Sequence, residues 1–391
     1  MQIAFYAPLK PPGDAASADD RDPARFLMDA FARAGHVVEL VSTFRSHDEE
    51  GDPDRQLAQR DEGTVLAQLL ASQWRSGKRA PRPDLWFTHH VYYKAPDWLG
   101  PLVSADLGVP YVIAEASHAP KRAGGRWAIG HEAAAAAIRH ADLVLCRTRH
   151  DAVLVEPLVF DRQRVVRLPP FLDPAPFRRA AGMREAYRSA IAATFRLDAG
   201  VPWITVASMM QTGDKVASYR ALAAALAPLS DLPWHLIVAG DGSARYEVEA
   251  AINTALPGRA SFLGKLVLAE LAPVLGASDL YVWPAINQAY GRAMYEAQAA
   301  GMAIVSCAPR GVPDSVAEGL TGMRVAPGDT GALAQAVRAL LLDPSRRLAM
   351  GRAAMAFIDT ERSVDAAAAR LDRALALLSG GPRSHSAQKR E

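Results

Sequence analysis

Lys215 and Glu296 stand where an α/β chain brings charged groups to a ligand. Glu296 lies in the segment Asn287–Gly301, which follows an apolar run, Asp279–Pro284, that predicts a buried strand ending in a proline. A short polar loop with Tyr290 and Gly291 comes next, and a run of Ala, Met, Glu and Gln predicts a helix stopping at Gly301. A strand, a polar loop and a helix N-terminus present backbone N–H groups to a ligand at the carboxyl end of the strand. A carboxylate early in that helix accepts two hydrogen bonds from a vicinal diol such as a ribose, or simply serves the helix macrodipole. Lys215 also follows a strand and precedes a helix. A lysine there can neutralise an anionic ligand bound at the helix N-terminus, or stands as an ordinary solvated loop residue. Arg292, just after Gly291, meets either a phosphate or solvent.

Other residues fall at strand ends. Gly240, Asp241 and Gly242 follow a strand and form a tight turn, whose role is ligand binding or turn geometry alone. His118, in the loop ASHAPKRAGGRW, and Glu115 follow another strand. A histidine there polarises or orients a hydroxyl, although lone loop histidines are more often structural. His89 and His90 end the run DLWFTHH, ahead of Tyr92, Tyr93 and Lys94; strand alternation predicts that one of the two rings points away from the site. Gly13, Asp14 and Arg21 lie in a loop rich in Pro, Gly and Asp after the first strand. Lys121, Arg122, Arg126 and Trp127 form a basic, partly aromatic loop. It reads as a solvated face, with docking on an anionic membrane or an acidic acceptor as the alternative.

The elements that must hold these residues come from periodicity. Apolar strands and helices alternate through both halves, which argues for parallel, doubly wound sheets. Strands are expected at Ile3–Pro8, His36–Ser42, Asp84–His90, Tyr111–Glu115, Asp142–Cys146 and Arg164–Leu168, then at Trp203–Ser208, Trp234–Gly240, Ala260–Gly264, Asp279–Pro284 and Ala303–Cys307. A helix is expected over Pro23–Ala34 and another around Thr64–Trp74 after a polar insert. The proline-rich stretch Pro169–Phe177 reads as a linker. With 391 residues the chain suits two domains. These are 1–174 and 175–362, followed by a helix at 363–378 and a tail at 379–391 whose lack of large apolar residues predicts disorder.

Composition excludes several classes. Lys and Arg number 44 against 42 Asp and Glu, a net charge of +2 that gives no warrant for a nucleic-acid binder. Cys146 and Cys307 sit in apolar runs and read as buried reduced thiols, and no Cys/His spacing suggests zinc, so no metal is expected. The absence of G-x-G-x-x-G counts against a dinucleotide dehydrogenase. Neither a signal peptide nor a membrane-spanning run is visible, so the expected location is cytoplasmic, with peripheral contact at the inner membrane face left open.

Several segments in order resemble the retaining GT-B glycosyltransferases, specifically family 4 (glycosyl transferases group 1). They are VASMMQTGDKVASYRALAAAL, VAGDGSA and the long block from SFLGK through the closing Pro-Gly-Asp, with weaker likeness in PDLWFTHH and the strand–Glu–Ala–Ser–His segment. The resemblance covers nearly the whole chain. It implies two Rossmann-like domains facing a central crevice, the second binding a UDP- or GDP-sugar and the first an acceptor: a sugar, a lipid-linked molecule or a small molecule. By resemblance, Lys215 serves the donor phosphates, Glu296 binds the ribose, Tyr290 and Gly291 lie beside sugar and phosphates, and His118 lies near the reactive sugar. The family's first glutamate, eight residues before Glu296, is replaced by Gln288, and a usual arginine five residues before Lys215 is replaced by Met210. One anion near the sugar and one cation near the phosphates are therefore missing. The implied reaction is sugar transfer to a hydroxyl with retention and without cofactor or metal. The rival readings are a nucleotide-sugar-binding protein with a decayed site and a nucleotide-sugar epimerase on the same fold.

Overall fold

The computed structural model describes residues 1–13, 22–287, 291–308 and 315–378. Within them the chain divides into two compact units, Met1–Pro170 with the segment from Val364 onward, and Phe171–Ser363.

In the first unit the strands are β1 (Gln2–Tyr6), β2 (Val37–Ser42), β3 (Leu85–His89), β4 (Tyr111–Ala114), β5 (Leu143–Cys146) and β6 (Val165–Arg167). Its helices are α1 (Pro23–Arg33), α2 (Pro53–Arg75), α3 (Gly100–Leu107), α4 (Ala128–His140) and α5 (Arg149–Val155). The six strands form one sheet in the order β2-β1-β3-β4-β5-β6, and its strand pairs are parallel. All five residues of β3 and all four of β4 and β5 are buried, as expected for strands covered on both faces. Helix α1 starts at Pro23 because Asp22 caps it, accepting the Ala24 N–H at 2.9 Å, and it buries Leu27 and Phe31.

The second unit holds β7 (Trp203–Ala207), β8 (His235–Ala239), β9 (Ala260–Gly264), β10 (Leu280–Trp283), β11 (Ala303–Cys307) and β12 (Gly322–Val325). Its helices are α6 (Ala175–Gly182), α7 (Arg184–Phe195), α8 (Asp214–Leu226), α9 (Arg245–Ala255), α10 (Leu268–Ala277), α11 (Arg292–Ala299), α12 (Thr330–Leu342) and α13 (Pro344–Phe357). The sheet order is β12-β11-β10-β7-β8-β9, again with parallel pairs. A last helix, α14 (Val364–Leu375), belongs to the first unit and packs on α1, with Arg33 and Asp365 paired at 2.7 Å.

Three expectations need correction. The polar insert before Thr64 is the first half of α2, which starts at Pro53. Asp52 accepts the Asp54 N–H at 3.0 Å, a cap-plus-proline signal that the weak apolar periodicity obscured. The supposed linker Pro169–Phe177 already carries the start of α6, and Phe177 is buried in the core of the second unit. Helices α3 and α5 and strand β12 were not anticipated: each is eight residues or fewer, too short for periodicity to register. The tail expectation for 379–391 lies outside the described residues.

Candidate functional site

The order of each sheet says where a ligand belongs. In the second unit the chain builds outward from β7 to β8 and β9, then returns to add β10 on the other side of β7. The direction reverses between β7 and β10, and a doubly wound sheet opens its ligand crevice at the carboxyl ends of such a pair. The two loops that meet there are β7–α8, leading to Lys215 in the first turn of α8, and β10–α11, leading to Glu296.

The β7–α8 loop is tied down by backbone. The Ser208 N–H donates to Ala239 O at 3.0 Å, the Met210 N–H to Asp241 O at 2.9 Å, and the Ala244 N–H to Met210 O at 2.9 Å. Gly240 and Gly242 make this fit possible. A Cβ on Gly240 would fall on the Ser208 carbonyl oxygen, and one on Gly242 on that of Met210. The glycines are therefore demanded by loop packing, whether or not a ligand adds to it. Asp241 is engaged locally, accepting the Gly242 N–H at 2.8 Å and pairing with Arg245 at 3.2 Å. Met210, at the position of the missing arginine, is fully buried in the core.

Gly213 caps α8 and Lys215 is its second residue. Its ammonium lies 5.7 Å from the ring centroid of Trp283, the last residue of β10, so Lys215 stands over the β7/β10 boundary. Burial lowers its pKa below the ordinary lysine value. Trp283 is in turn packed edge-on against Tyr219, whose hydroxyl donates to Ser208 O at 2.7 Å. After β10 the loop bends back to α8. The Ile286 N–H donates to Ser218 Oγ at 3.0 Å, and the Asn287 amide to Asp214 Oδ1 at 3.1 Å. Ala285 and Asn287 both have positive φ, 54° and 52°.

Gln288 and Tyr290 lie outside the described residues. Gly291 caps α11 with φ −124°, and a Cβ there would meet only Met294 at ordinary contact distance, so the protein's own packing does not require glycine. Arg292 opens the helix and is half-buried. Glu296 is 2% exposed, in the second turn. Helix α11 is locked by Tyr295, whose hydroxyl is 2.8 Å from Ser315 Oγ, and by Gln298, whose amide donates to Ser315 O at 2.9 Å.

In the first unit the direction reverses between β1 and β3. Gly13, in the loop after β1, has φ 86° and open space around it; Asp14 and Arg21 lie outside the described residues. At the end of β3 the alternation expected for His89 and His90 fails. The strand stops at His89, and His90 turns into the left-handed region at φ 66°. Both rings therefore reach one carboxylate: His89 Nε2 is 3.4 Å from Glu115 Oε1, and His90 Nδ1 is 3.5 Å from Glu115 Oε2. Arg147, just beyond β5, donates to Glu115 Oε2 at 2.6 Å. Burial alone would raise the Glu115 carboxyl, but Arg147, His89 and His90 together hold it far below the usual carboxylate range. Arg147 was not picked out from the sequence; an arginine one residue past an apolar strand was the available signal.

His118 is not part of that cluster as described. Its half-buried ring packs 4.8 Å from that of His131 on α4, and burial, then His131, lowers its pKa. In the basic loop, Arg122 lies over the rings of Tyr93 and Trp127 at 5.3 and 5.2 Å, so part of that loop folds onto the protein's own aromatics. Cys146 and Cys307 are buried free thiols, Cys146 pushed up to about 12 by burial. No helix among the described residues is long and apolar enough to cross a membrane.

Known proteins agree with this architecture. Residues 202–343 match the family described as glycosyl transferases group 1. The chain is 32% identical over 153 residues to a 2-deoxystreptamine glucosyltransferase of Streptomyces kanamyceticus, covering 38% of this chain and 40% of that one. It is 38% identical over 86 residues to a D-inositol 3-phosphate glycosyltransferase of Corynebacterium aurimucosum, covering 22% and 20%. The match thus spans less than half of these relatives' own lengths. Among solved structures, a glycosyltransferase from Rickettsia africae is similar at TM-score 0.70 with 15% identity, over 97% of this chain and 99% of that one. Anabaena HepE in complex with UDP is similar at 0.69 with 14% identity, over 96% and 100%. At these identities the likeness establishes the fold, that of the GT-B glycosyltransferases.

Proposed function

We propose, from the match of residues 202–343 to glycosyl transferases group 1, that this protein transfers a sugar from a nucleoside-diphosphate sugar to an acceptor hydroxyl with retention of configuration. The observation that carries the reading is the placement of a part-buried lysine and a buried glutamate on the two helices that follow β7 and β10, the strands where the sheet reverses. In this reading the Lys215 ammonium and the N-terminus of α8 take up the negative charge that grows on the leaving diphosphate. Glu296 accepts the hydrogen bonds of the ribose diol, and the loop from Ala285 to Arg292 frames the sugar. Gln288 offers an amide where the family has a carboxylate; it orients a hydroxyl but brings no charge to a developing oxocarbenium-like sugar. The family resemblance assigns Tyr290 and Gly291 to the sugar and phosphates in the same reading. The first unit supplies the acceptor side, with His118 near the reactive hydroxyl and Gly13, His89, His90 and Glu115 at its strand ends. Binding of UDP and UDP-glucose by the similar Anabaena HepE supports a uridine or related donor.

A second reading, nucleotide-sugar binding without turnover, is favoured by Met210. Its side chain is core, so nothing at that position replaces the missing cation. One experiment separates the two. The protein is incubated with UDP-, GDP- and ADP-sugars and a panel of acceptors, and products are read by mass, after thermal-shift measurements with the free nucleotides. Transfer supports the first reading, and a thermal shift without transfer the second. No shift with any nucleotide removes both. Glu296→Ala should weaken nucleotide binding by about 1–3 kcal/mol, the cost of losing charged hydrogen bonds.

A further inference from the structure

The cluster at the ends of β3 and β4 has the composition of a metal site. His89 Nε2, His90 Nδ1 and a Glu115 carboxylate oxygen all lie within 4.8 Å of one another. We infer that these three side chains bind a divalent transition-metal ion of the zinc type, with a fourth position left to water or a ligand oxygen. The inference does not depend on the donor site in the second unit.

Geometry supports it first. Four ligands at zinc–nitrogen and zinc–oxygen bond lengths stand about 3.3 Å apart along each tetrahedral edge. His89 Nε2 is already at that spacing from Glu115 Oε1, at 3.4 Å, while His90 Nδ1 lies 3.5 Å from the other carboxylate oxygen, Oε2, so a small turn of the carboxylate or of the His90 ring brings one oxygen to both. The remaining edge, between the two imidazoles, closes by rotation of His90, whose side chain is one-third exposed and least confined by packing. That exposure also leaves one side of the cluster open to a water ligand.

Chemistry supports it second. His89 Nε2 is buried without a hydrogen-bond partner and faces Glu115 at 3.4 Å, longer than a hydrogen bond. A buried imidazole nitrogen left at that distance recovers only part of its lost solvation, and a metal ion would use its lone pair. Two imidazoles and one carboxylate form a set suited to zinc and its neighbours rather than to magnesium or calcium. Arg147 supplies the outer partner that ligating carboxylates commonly have, donating to Glu115 Oε2 at 2.6 Å and fixing the plane of the carboxylate. Its positive charge also weakens the hold on a cation, so the affinity expected is micromolar rather than that of a closed structural site.

Backbone supports it third. His90 and Glu115 are both non-glycine residues at positive φ, 66° and 59°. Such conformations persist only where the surroundings over-determine them, and they gather at ligand clamps. Here they turn two consecutive histidine rings toward one carboxylate, which an unbroken strand cannot do.

The test uses the full chain, stripped with chelator and titrated with zinc chloride against a chromophoric competitor, with cobalt chloride as a spectroscopic stand-in. One zinc per chain is expected, together with a cobalt spectrum of four- or five-coordinate intensity. His89→Ala and His90→Asn should each weaken zinc binding at least about tenfold, the scale on which loss of even an outer partner acts. Asn keeps the left-handed backbone of residue 90 accessible, so that variant folds even where His89→Ala fails to. His235→Ala, in the second unit, should leave binding unchanged. Absence of stoichiometric zinc, equal affinity in His90→Asn, or a cobalt spectrum like that of the aqueous ion overturns the site. Nucleotide thermal shifts on the same stripped protein report the donor site separately, so either inference can fail without the other.

Discussion

Asn287 donates its side-chain amide to the Asp214 carboxylate at 3.1 Å, joining the loop after β10 to the first turn of α8. That bond spans the two strands between which the sheet of the second unit reverses. It sits beside a residue, Ala285, whose φ of 54° costs about 1–2 kcal/mol for a side chain other than glycine. The loop is thus held in a strained form by bonds to α8.

Replacing Asn287 with Ala removes the bond and a residue type that, among those with a side chain, best tolerates φ 52°. We expect a stability loss of about 1–2 kcal/mol in urea unfolding and a larger proportional loss of nucleotide affinity. Asn287→Gly, which relieves the backbone but not the bond, should fall between. Equal affinity in all three proteins would mean that the bond does not order the loop for ligand.

Lys215 is predicted to make diphosphate binding fall at a lower pH than an exposed lysine would. Burial lowers its pKa from the ordinary 10.5, and only the charged form attracts phosphate. Affinity should therefore decline as pH rises through that lowered value. Stability has the opposite sign: the unfolded chain holds its proton longer, so the folded state gains as pH rises across the same window. Calorimetric titrations of a nucleoside diphosphate from neutral to alkaline pH measure the first effect, and Lys215→Met should flatten the curve.

Gly242→Ala should destabilise the second unit by about 2 kcal/mol or more. The new Cβ would fall on the Met210 carbonyl oxygen, which already accepts from the Ala244 N–H, so neither can yield without losing that bond. Gly108→Ala, at the end of α3, is the control. Its φ of 64° and ψ of 35° are left-handed helical and nothing lies within 4 Å of the added atom, so only backbone strain of about 1 kcal/mol applies. Similar losses in the two variants would show that the loop packing is not what requires Gly242.

His118 carries an acid-sensitivity prediction. Its pKa is lowered from 6.5, by burial first and His131 second. Below 6.5 the unfolded chain then binds more protons than the folded one, and stability falls as pH drops until the folded-state value is passed. Urea unfolding at a series of pH values should show this slope, and His118→Asn should reduce it. An unchanged slope would place the acid sensitivity elsewhere.

By itself the sequence determined most of the two sheets. Long apolar runs such as LWFTH, HLIVA and AIVSC bury every side chain or nearly so, and burial on both faces leaves little room for another reading. It also located the carboxyl ends of those strands, because glycine, proline and polar residues mark where each stops. Element starts governed by one cap, such as Asp52 before α2, and elements of eight residues or fewer, such as α3 and β12, were lost, since periodicity needs length to register.

Tertiary structure decided what local pattern cannot carry. Strand order is a matter of long-range pairing. Only that order puts Lys215 over Trp283, 68 residues further along the chain, and makes β7 and β10 the reversal point. It gave Gly240 and Gly242 a packing reason, because the carbonyls they must clear belong to a loop some 32 residues earlier. It also turned His89 and His90 onto the same carboxylate through a left-handed residue at position 90, against the alternation that a strand pattern predicts. The physical reason is common to all three. Side-chain type and spacing set which local conformations are cheap, whereas the partners that make an expensive one stable come from distant parts of the chain.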